Sequence, residues 1–136
     1  MKTALRVFGA LSDENRLRMV YALRRGELCV CQLIDLMGLS PSTVSKHLSI
    51  LRDAGLLDSR KKGRWVYYRL ADQAILPMMG EKAAPIFRSL EKTPTVKADD
   101  KHLKQICGEN IESLCRRLFH KPCKETECLP IRRSDR

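Results

Sequence analysis

Two helical patterns joined by a tight turn constrain the fold of this chain more than any other feature. Leu33, Leu36 and Met37 mark a short helix that ends at Gly38, and Ser40-Pro41 opens the next helix. Serine is a good N-cap, and proline is favoured at the first helical position because its missing N–H is not needed there. The pattern therefore predicts a helix-turn-helix.

The second helix of this pair, predicted over residues 41–54, has two different faces. Val44, Leu48 and Leu51 follow spacings of four and three, so they share one face that must be buried. The opposite face carries hydroxyl and basic side chains, which can donate to base edges and phosphates. An ordinary solvated face would have the same composition. We interpret it as a DNA-binding face formed by Ser42, Thr43, Ser45, Lys46, His47 and Arg52.

A basic hairpin is predicted directly after this helix. Residues 56–60 and 64–70 are rich in β-forming side chains and flank the tripeptide Lys61-Lys62-Gly63, which we predict as the turn. Basic residues on a ribbon beside a recognition helix can follow the phosphate backbone, as a wing does. We assign Lys62 and Arg64 to such contacts. The aromatic residues of the ribbon are expected to pack rather than to stack on bases.

The charge of the chain favours a polyanionic partner. Lys and Arg number 26 against 16 Asp and Glu, a net charge of +10. Residues 1–71 hold 13 bases and 6 acids, a net +7, whereas residues 72–136 hold 13 and 10, a net +3. We therefore place the DNA-binding surface in the first half. Many basic proteins bind no nucleic acid, so a basic protein-interaction module is the alternative.

The remaining patterns predict a mainly α fold with a β-hairpin wing. Leu5, Phe8 and Leu11 give a first helix, and Ser12 is the predicted N-cap of a second. The apolar helical pattern over residues 72–90 is longer than one core needs, and with the first helix it favours a two-fold interface. We expect a homodimeric winged helix-turn-helix domain over residues 1–90. Residues 91–136 follow as a linker at 93–97, a helix over 99–119 and a cysteine-containing tail.

Redox compartment and targeting signals bear on the six cysteines. The chain has no apolar stretch near the ~18 residues that a membrane span needs, and Arg6 interrupts the first apolar run before a signal-peptide core. We expect a soluble, cytoplasmic protein with no membrane partner. Cytoplasmic thiols stay reduced, so these cysteines are better explained as metal ligands or reactive thiols than as disulfides.

Three segments together resemble the ArsR/SmtB family of metal-responsive repressors, closest to its arsenic-responsive branch. They are ELCVCQL at 27–33, STVSKHL at 42–48 and GRWVYYRL at 63–70, and the resemblance spans roughly residues 3–90. It implies a dimer that binds double-stranded operator DNA when ligand-free and leaves it when a metal or metalloid binds. It also implies no enzymatic activity and no required cofactor.

Within that resemblance, Cys29 and Cys31 are the expected inducer ligands. Two residues apart on an ideal helix, their thiols would point about 200° away from each other, so the helix start must loosen before both can bind one ion. That distortion would misplace the recognition helix behind it. Thiolates select soft ions, which favours As(III) or Sb(III), with Cd, Pb or Zn as the alternative. A thiol redox-sensing regulator is the alternative from another class.

The third ligand of a trivalent arsenic site is left open by the sequence. Arsenic-responsive relatives often carry a cysteine three residues beyond the pair, where this chain has Ile34. The missing ligand could come from Cys107, Cys115, Cys123 or Cys128. Cys107 and Cys115 share an apolar stripe and are better explained as buried core thiols. Cys123 and Cys128, in the tail, are therefore the favoured donors. One tail sulfur would suit arsenite, whereas two would suit Cd, Pb or Zn.

Overall fold

The computed structural model describes residues 1–71 and 84–119, and within these ranges the predicted mainly helical fold with a hairpin wing is confirmed. No helix in these two ranges is long and apolar enough to cross a membrane. The elements, in chain order, are α1 (Lys2–Leu11), α2 (Glu14–Leu23), β1 (Leu28–Cys29), α3 (Val30–Met37), α4 (Pro41–Asp53), β2 (Leu57–Lys62), β3 (Trp65–Leu70), α5 (Ala84–Glu91), α6 (Pro94–Cys107) and α7 (Ile111–Phe119).

The helix-turn-helix is formed by α3 and α4, as predicted. Gly38 ends α3 with a φ of 64°, a left-handed conformation that glycine adopts without steric cost, and its N–H donates to the Ile34 carbonyl at 3.0 Å. Ser40 caps α4, since its Oγ accepts from the Thr43 N–H at 3.3 Å. The predicted apolar face of α4 is buried in the core. These local signals fix where the recognition helix begins and which side it exposes.

The wing belongs to a three-stranded antiparallel sheet with the order β1-β3-β2. The predicted turn at Lys61-Lys62-Gly63 is wrong, because Lys61 and Lys62 are strand residues that pair with Val66 and Trp65. The loop is Gly63-Arg64, and Gly63 takes the positive φ of 61° that this tight connection requires. Tyr68 is fully buried, which confirms its predicted packing role.

The junction between α1 and α2 differs from the prediction in its capping residue. Asp13, rather than Ser12, is the N-cap of α2, and its carboxylate accepts from the Arg16 N–H at 3.1 Å. That hydrogen bond lowers the pKa of Asp13. Ser12 instead closes α1 by donating from Oγ to the Gly9 carbonyl at 2.7 Å. Both residues are good caps, and the position of the helix start decides between them.

The C-terminal part contains two helices where one helix and a linker were expected. Thr93 caps α6 and Pro94 is in its first turn, so the predicted linker at 93–97 is the start of a helix. Gly108 ends α6, and the Asn110 Oδ1 starts α7 by accepting from the Glu112 N–H at 2.8 Å. The single helix predicted over 99–119 is therefore wrong. Gly108 and Asn110 interrupt the continuous apolar pattern, so one helix ends there and another begins.

Helices α6 and α7 pack against the helix-turn-helix rather than standing apart from it. Leu103, Ile106 and Leu114 belong to the same hydrophobic core as the apolar residues of α3 and α4. Arg18 of α2 holds α6 with two 2.8 Å hydrogen bonds to the Asp99 carboxylate. This hydrogen bonding raises the pKa of Arg18. The position of α7 is consequently set by contacts between residues far apart in the sequence.

Two predicted features lie partly or wholly outside the described residues. Of the apolar pattern over 72–90, the structure describes residues 84–90, which lie in α5. The tail that carries Cys123 and Cys128 is also outside. On α1, Leu5 and Phe8 are 63% and 65% exposed.

Candidate thiol site and nucleic-acid interface

Cys29 lies at the point where β1 ends and α3 begins. Its backbone is extended, with φ −71° and ψ 149°, and it is the N-cap residue of α3. Its N–H donates to the Gln32 Oε1 at 2.8 Å. The expectation that the helix must loosen before Cys29 and Cys31 can meet is therefore wrong. Cys29 already stands outside the helix, so the ideal helical angle between the two thiols does not apply.

The thiol of Cys31 is in hydrogen-bonding contact with the thiols of both Cys29 and Cys115. The bond from Cys31 lowers the pKa of Cys29, and the backbone N–H groups of Cys31, Val30 and Gln32 lower it further against the opposing effect of burial. Hydrogen bonding to Cys115 and to Cys29, together with burial, raises the pKa of Cys31. Of these two thiols, Cys29 is thus the one that more readily becomes a thiolate.

Cys115 reaches this pair from α7; the sequence left it among four possible third ligands but favoured the tail cysteines over it. Its predicted burial is confirmed, since Cys29, Cys31 and Cys115 are all 0% exposed. Cys107 was also predicted to be buried, but it is exposed on α6. A helical stripe shows that Cys115 faces inward. Only the packing of α7 on α3 shows which thiols it meets.

The described thiols touch without forming a ready-made coordination shell. Within residues 1–71 and 84–119, no group of three or more His, Cys, Asp or Glu side chains is arranged to hold a metal ion. The four cysteines in these ranges are not joined in disulfides. Ion binding would therefore replace sulfur hydrogen bonds by sulfur–ion bonds and draw the thiols closer together.

The predicted DNA-binding residues of α4 fall into two groups. Ser42 and Lys46 are exposed, and Thr43 and Ser45 beside them are partly exposed. The Ser40 Oγ lies 3.2 Å from the Ser42 Oγ and 2.8 Å from the Thr43 Oγ1, so these hydroxyls form a small network at the start of the helix. This end of α4 presents the donors that a groove-binding surface needs.

His47 and Arg52, the other two predicted residues of α4, make contacts with neighbouring elements. The His47 Nδ1 lies 3.4 Å from the Arg16 Nη1, and the Arg16 Nε donates to the Ala10 carbonyl at 2.7 Å. Arg52 donates from Nη1 to the Ser59 Oγ of β2 at 3.3 Å. Both are partly buried. They connect α4 to α2 and to the wing, in addition to any role at DNA.

The two predicted wing residues, Lys62 and Arg64, are both exposed near the tip of the hairpin. The Arg64 guanidinium lies over the Trp65 ring, 4.9 Å from its centroid, and its Nη2 is 3.4 Å from the Glu112 Oε1 on α7. Exposed ion pairs of this kind contribute little, about 0.2–1 kcal/mol. A phosphate can therefore compete with Glu112 for Arg64.

Three named relatives match part of this chain. It is 52% identical over 65 residues to the Arsenic resistance transcriptional regulator ArsR1 of Pseudomonas putida, covering 47% of this chain and 51% of that regulator. It is 42% identical over 82 residues to the Arsenical resistance operon repressor of Bacillus subtilis, covering 60% and 78%. The Cadmium resistance transcriptional regulatory protein CadC of Listeria innocua is 45% identical over 73 residues, covering 53% and 61%. The chain thus spans about half of the first relative and more of the others.

A solved structure and a family model agree with the fold. The homodimeric winged helix-turn-helix DNA-binding domain of Mb0332 from Mycobacterium bovis aligns with a TM-score of 0.58 and 27% identity, covering 68% of this chain and 86% of that one. Residues 13–59, which include the thiol pair and all of α4, match the model described as bacterial regulatory protein, arsR family. With the extent of the Bacillus subtilis match, these findings show that the chain belongs to the arsR family of bacterial transcriptional regulators and has its winged helix-turn-helix fold.

Proposed function

We propose that this protein is a homodimeric repressor that binds operator DNA when ligand-free and is released by arsenite or antimonite at Cys29 and Cys31. The observation that supports it best is the position of this thiol pair. Cys29 ends the strand that pairs with the wing, and Cys31 lies in the first turn of the helix that precedes the recognition helix. A ligand at this junction would therefore act on the strand beside the wing and on the helix before the recognition helix.

The coupling runs through two short connections. Leu28 and Cys29 pair with Tyr68 and Tyr67 of the wing strand, so displacement of Cys29 acts on the sheet. Helix α3 leads to α4 through the turn after Gly38, so displacement of the α3 N-terminus acts on the recognition helix. Couplings of this kind between two sites are typically ~1–3 kcal/mol, which is 5- to 150-fold in affinity.

A dimer accounts for the apolar surface of α1. Leu5 and Phe8 are large, exposed side chains on one helix of a chain whose other large apolar residues are mostly buried across the described ranges. The structural neighbour from Mycobacterium bovis is homodimeric. Two copies related by a two-fold axis would place two recognition helices on a palindromic operator about one helical turn apart.

The donor chemistry favours a soft, trigonal ion. The Cys31 thiol has the thiols of Cys29 and Cys115 as hydrogen-bonding partners, and arsenite and antimonite bind thiolates with three-fold coordination. Cadmium and lead take more thiolates, and one named relative is a cadmium regulator. Arsenite is therefore the proposed inducer, with cadmium as the competing ion.

The test is operator binding in the presence of arsenite, antimonite, cadmium, lead and zinc, each added separately to the reduced full-length protein. Release by arsenite at the lowest concentration is expected, and the Cys29→Ser, Cys31→Ser variant is the matched control. Release by cadmium alone would reject the metalloid assignment. Release by peroxide without an ion, reversed by a reductant, would identify a redox regulator instead.

A further inference from the structure

We infer that Cys115 is the third thiolate of the ion site and that it is donated from α7 within the same subunit. This inference rests on the proposed function and deepens it by naming the ligand that the family motif of this chain lacks. It also makes α7, which follows the matched family segment, part of the response to the ion.

The thiols of Cys29, Cys31 and Cys115 lie together in the core. All three residues are fully buried in this same hydrophobic core, and the Arg117–Asp35 ion pair holds α7 against α3. Hydrogen bonding links the Cys31 thiol to both Cys115 and Cys29, so Cys31 is the thiol that the other two share. Residue 34, where arsenic-responsive relatives often carry a third cysteine, is Ile34 in this chain. Cys115 therefore brings a third sulfur to the pair from a different part of the sequence.

Helix α7 is held in place by residues on both sides of Cys115. Leu114 is fully buried in the core. Arg117 donates to the Asp35 carboxylate of α3 at 3.0 Å and to the Glu109 carboxylate at 2.8 Å. Contacts that immobilise a ligand before the ion arrives lower the entropic cost of binding.

Three thiols also give a balanced reaction with arsenite. Arsenous acid, As(OH)₃, reacts with three thiols to give one As(SR)₃ centre and three water molecules; three As–O bonds and three S–H bonds break, and three As–S bonds and three water O–H bonds form. Arsenic stays trivalent, so no oxidant or reductant is needed. Two thiols alone would leave one As–O bond exposed to water. Cys115 completes the exchange inside the core and away from solvent, since all three cysteines are fully buried.

The same helix provides a second route to the wing. Glu112 is three residues before Cys115, and it forms the ion pair with Arg64 at the hairpin tip. Drawing Cys115 toward the ion would therefore shift the helix that holds a DNA-contacting arginine. Ion binding would act on the wing from the α7 side as well as through β1.

The experiment counts arsenic–sulfur bonds by X-ray absorption in the full-length reduced protein loaded with sodium arsenite. We expect three sulfurs in the unaltered chain and two in Cys115→Ser, with a clear loss of arsenite affinity and of the arsenic–thiolate absorption band. Cys107→Ser is the matched control, because Cys107 is an exposed cysteine on the neighbouring helix. It should retain all three sulfurs, as should the double variant Cys123→Ser, Cys128→Ser.

Other sulfur counts would reject either the assignment of Cys115 or the proposed function. Three sulfurs in Cys115→Ser, or a loss of one sulfur in the tail variant, would overturn the assignment to Cys115 while leaving the proposed function intact. No arsenic–sulfur bond in the unaltered protein would overturn the proposed function itself. Cys115→Ala is included because it adds no buried hydroxyl, and operator affinity and thermal melting establish that each variant is folded.

Discussion

The thiol site and the DNA-binding face are adjacent in the fold but differ in how their residues are held. At the thiol site, the sulfur atoms are buried and are placed by packing and by backbone N–H groups. On the DNA-binding face, Ser42, Lys46 and Lys62 are exposed and are placed by the local helix or strand alone. Under the proposed function, this difference separates two kinds of control: soft ions would act on the first region, and salt would act on the second.

The strongest test of that separation is the double variant Cys29→Ser, Cys31→Ser. We expect release by arsenite to disappear, because a hydroxyl is a poor donor for a soft ion. Folding and ligand-free operator affinity should stay nearly unchanged, since serine is close to cysteine in size. The measurement is an operator titration with and without arsenite. A normal response from this variant would remove the thiol pair from the mechanism.

The converse test changes the exposed region. Lys62→Ala with Arg64→Ala should weaken binding to all DNA sequences and reduce the slope of log affinity against log salt by about one per lost phosphate contact. Arsenite affinity of the free protein should change by a few-fold at most, because the Arg64–Glu112 ion pair lost from α7 is exposed. Operator titrations at several salt concentrations measure the slope, and an unchanged slope would exclude the wing tip from phosphate contact.

The variants Ser42→Ala and Ser45→Ala, made separately, test whether these hydroxyls recognise bases. Hydrogen bonds to base edges discriminate by ~1–3 kcal/mol at most, so each variant should change the preference among operator sequences more than the overall affinity. Competition between mutated operators measures this preference. A uniform loss across all sequences would instead assign these hydroxyls to phosphate contacts.

A smaller effect is expected at the point where α7 is fixed to α3. Arg117→Ala removes the ion pairs with Asp35 and Glu109, each worth about 1 kcal/mol or less because the arginine is half exposed. Arsenite affinity should fall by several-fold while the number of bound sulfurs stays at three. Arg117→Lys should restore part of the loss. A full loss of one sulfur would mean that α7 detaches, which the packing of Leu114 argues against.

The sequence predicts well what depends on residues close together in the chain. Gly38, Ser40 and Pro41 define the helix-turn-helix because each acts on its own turn of backbone. The wing was predicted, but its turn was misplaced by two residues, since Lys61 and Lys62 tolerate a strand as well as a turn. The position of Cys115 against Cys31 was not predicted. It depends on how α7 packs on α3, and these two helices are too far apart in the sequence for a local pattern to relate them.

The break between α6 and α7 has a consequence for how such a regulator can change its ligand. Gly108 and Asn110 end one helix and begin the next, so α7 is a short unit attached by its own cap. None of the predicted DNA-contacting residues lies on it. Under the proposed assignment of Cys115, substitutions along α7 would alter the number and type of ligand atoms offered to the ion and leave the predicted DNA-contacting residues in place. One DNA-binding architecture could in this way serve different toxic ions through exchange of one nine-residue helix.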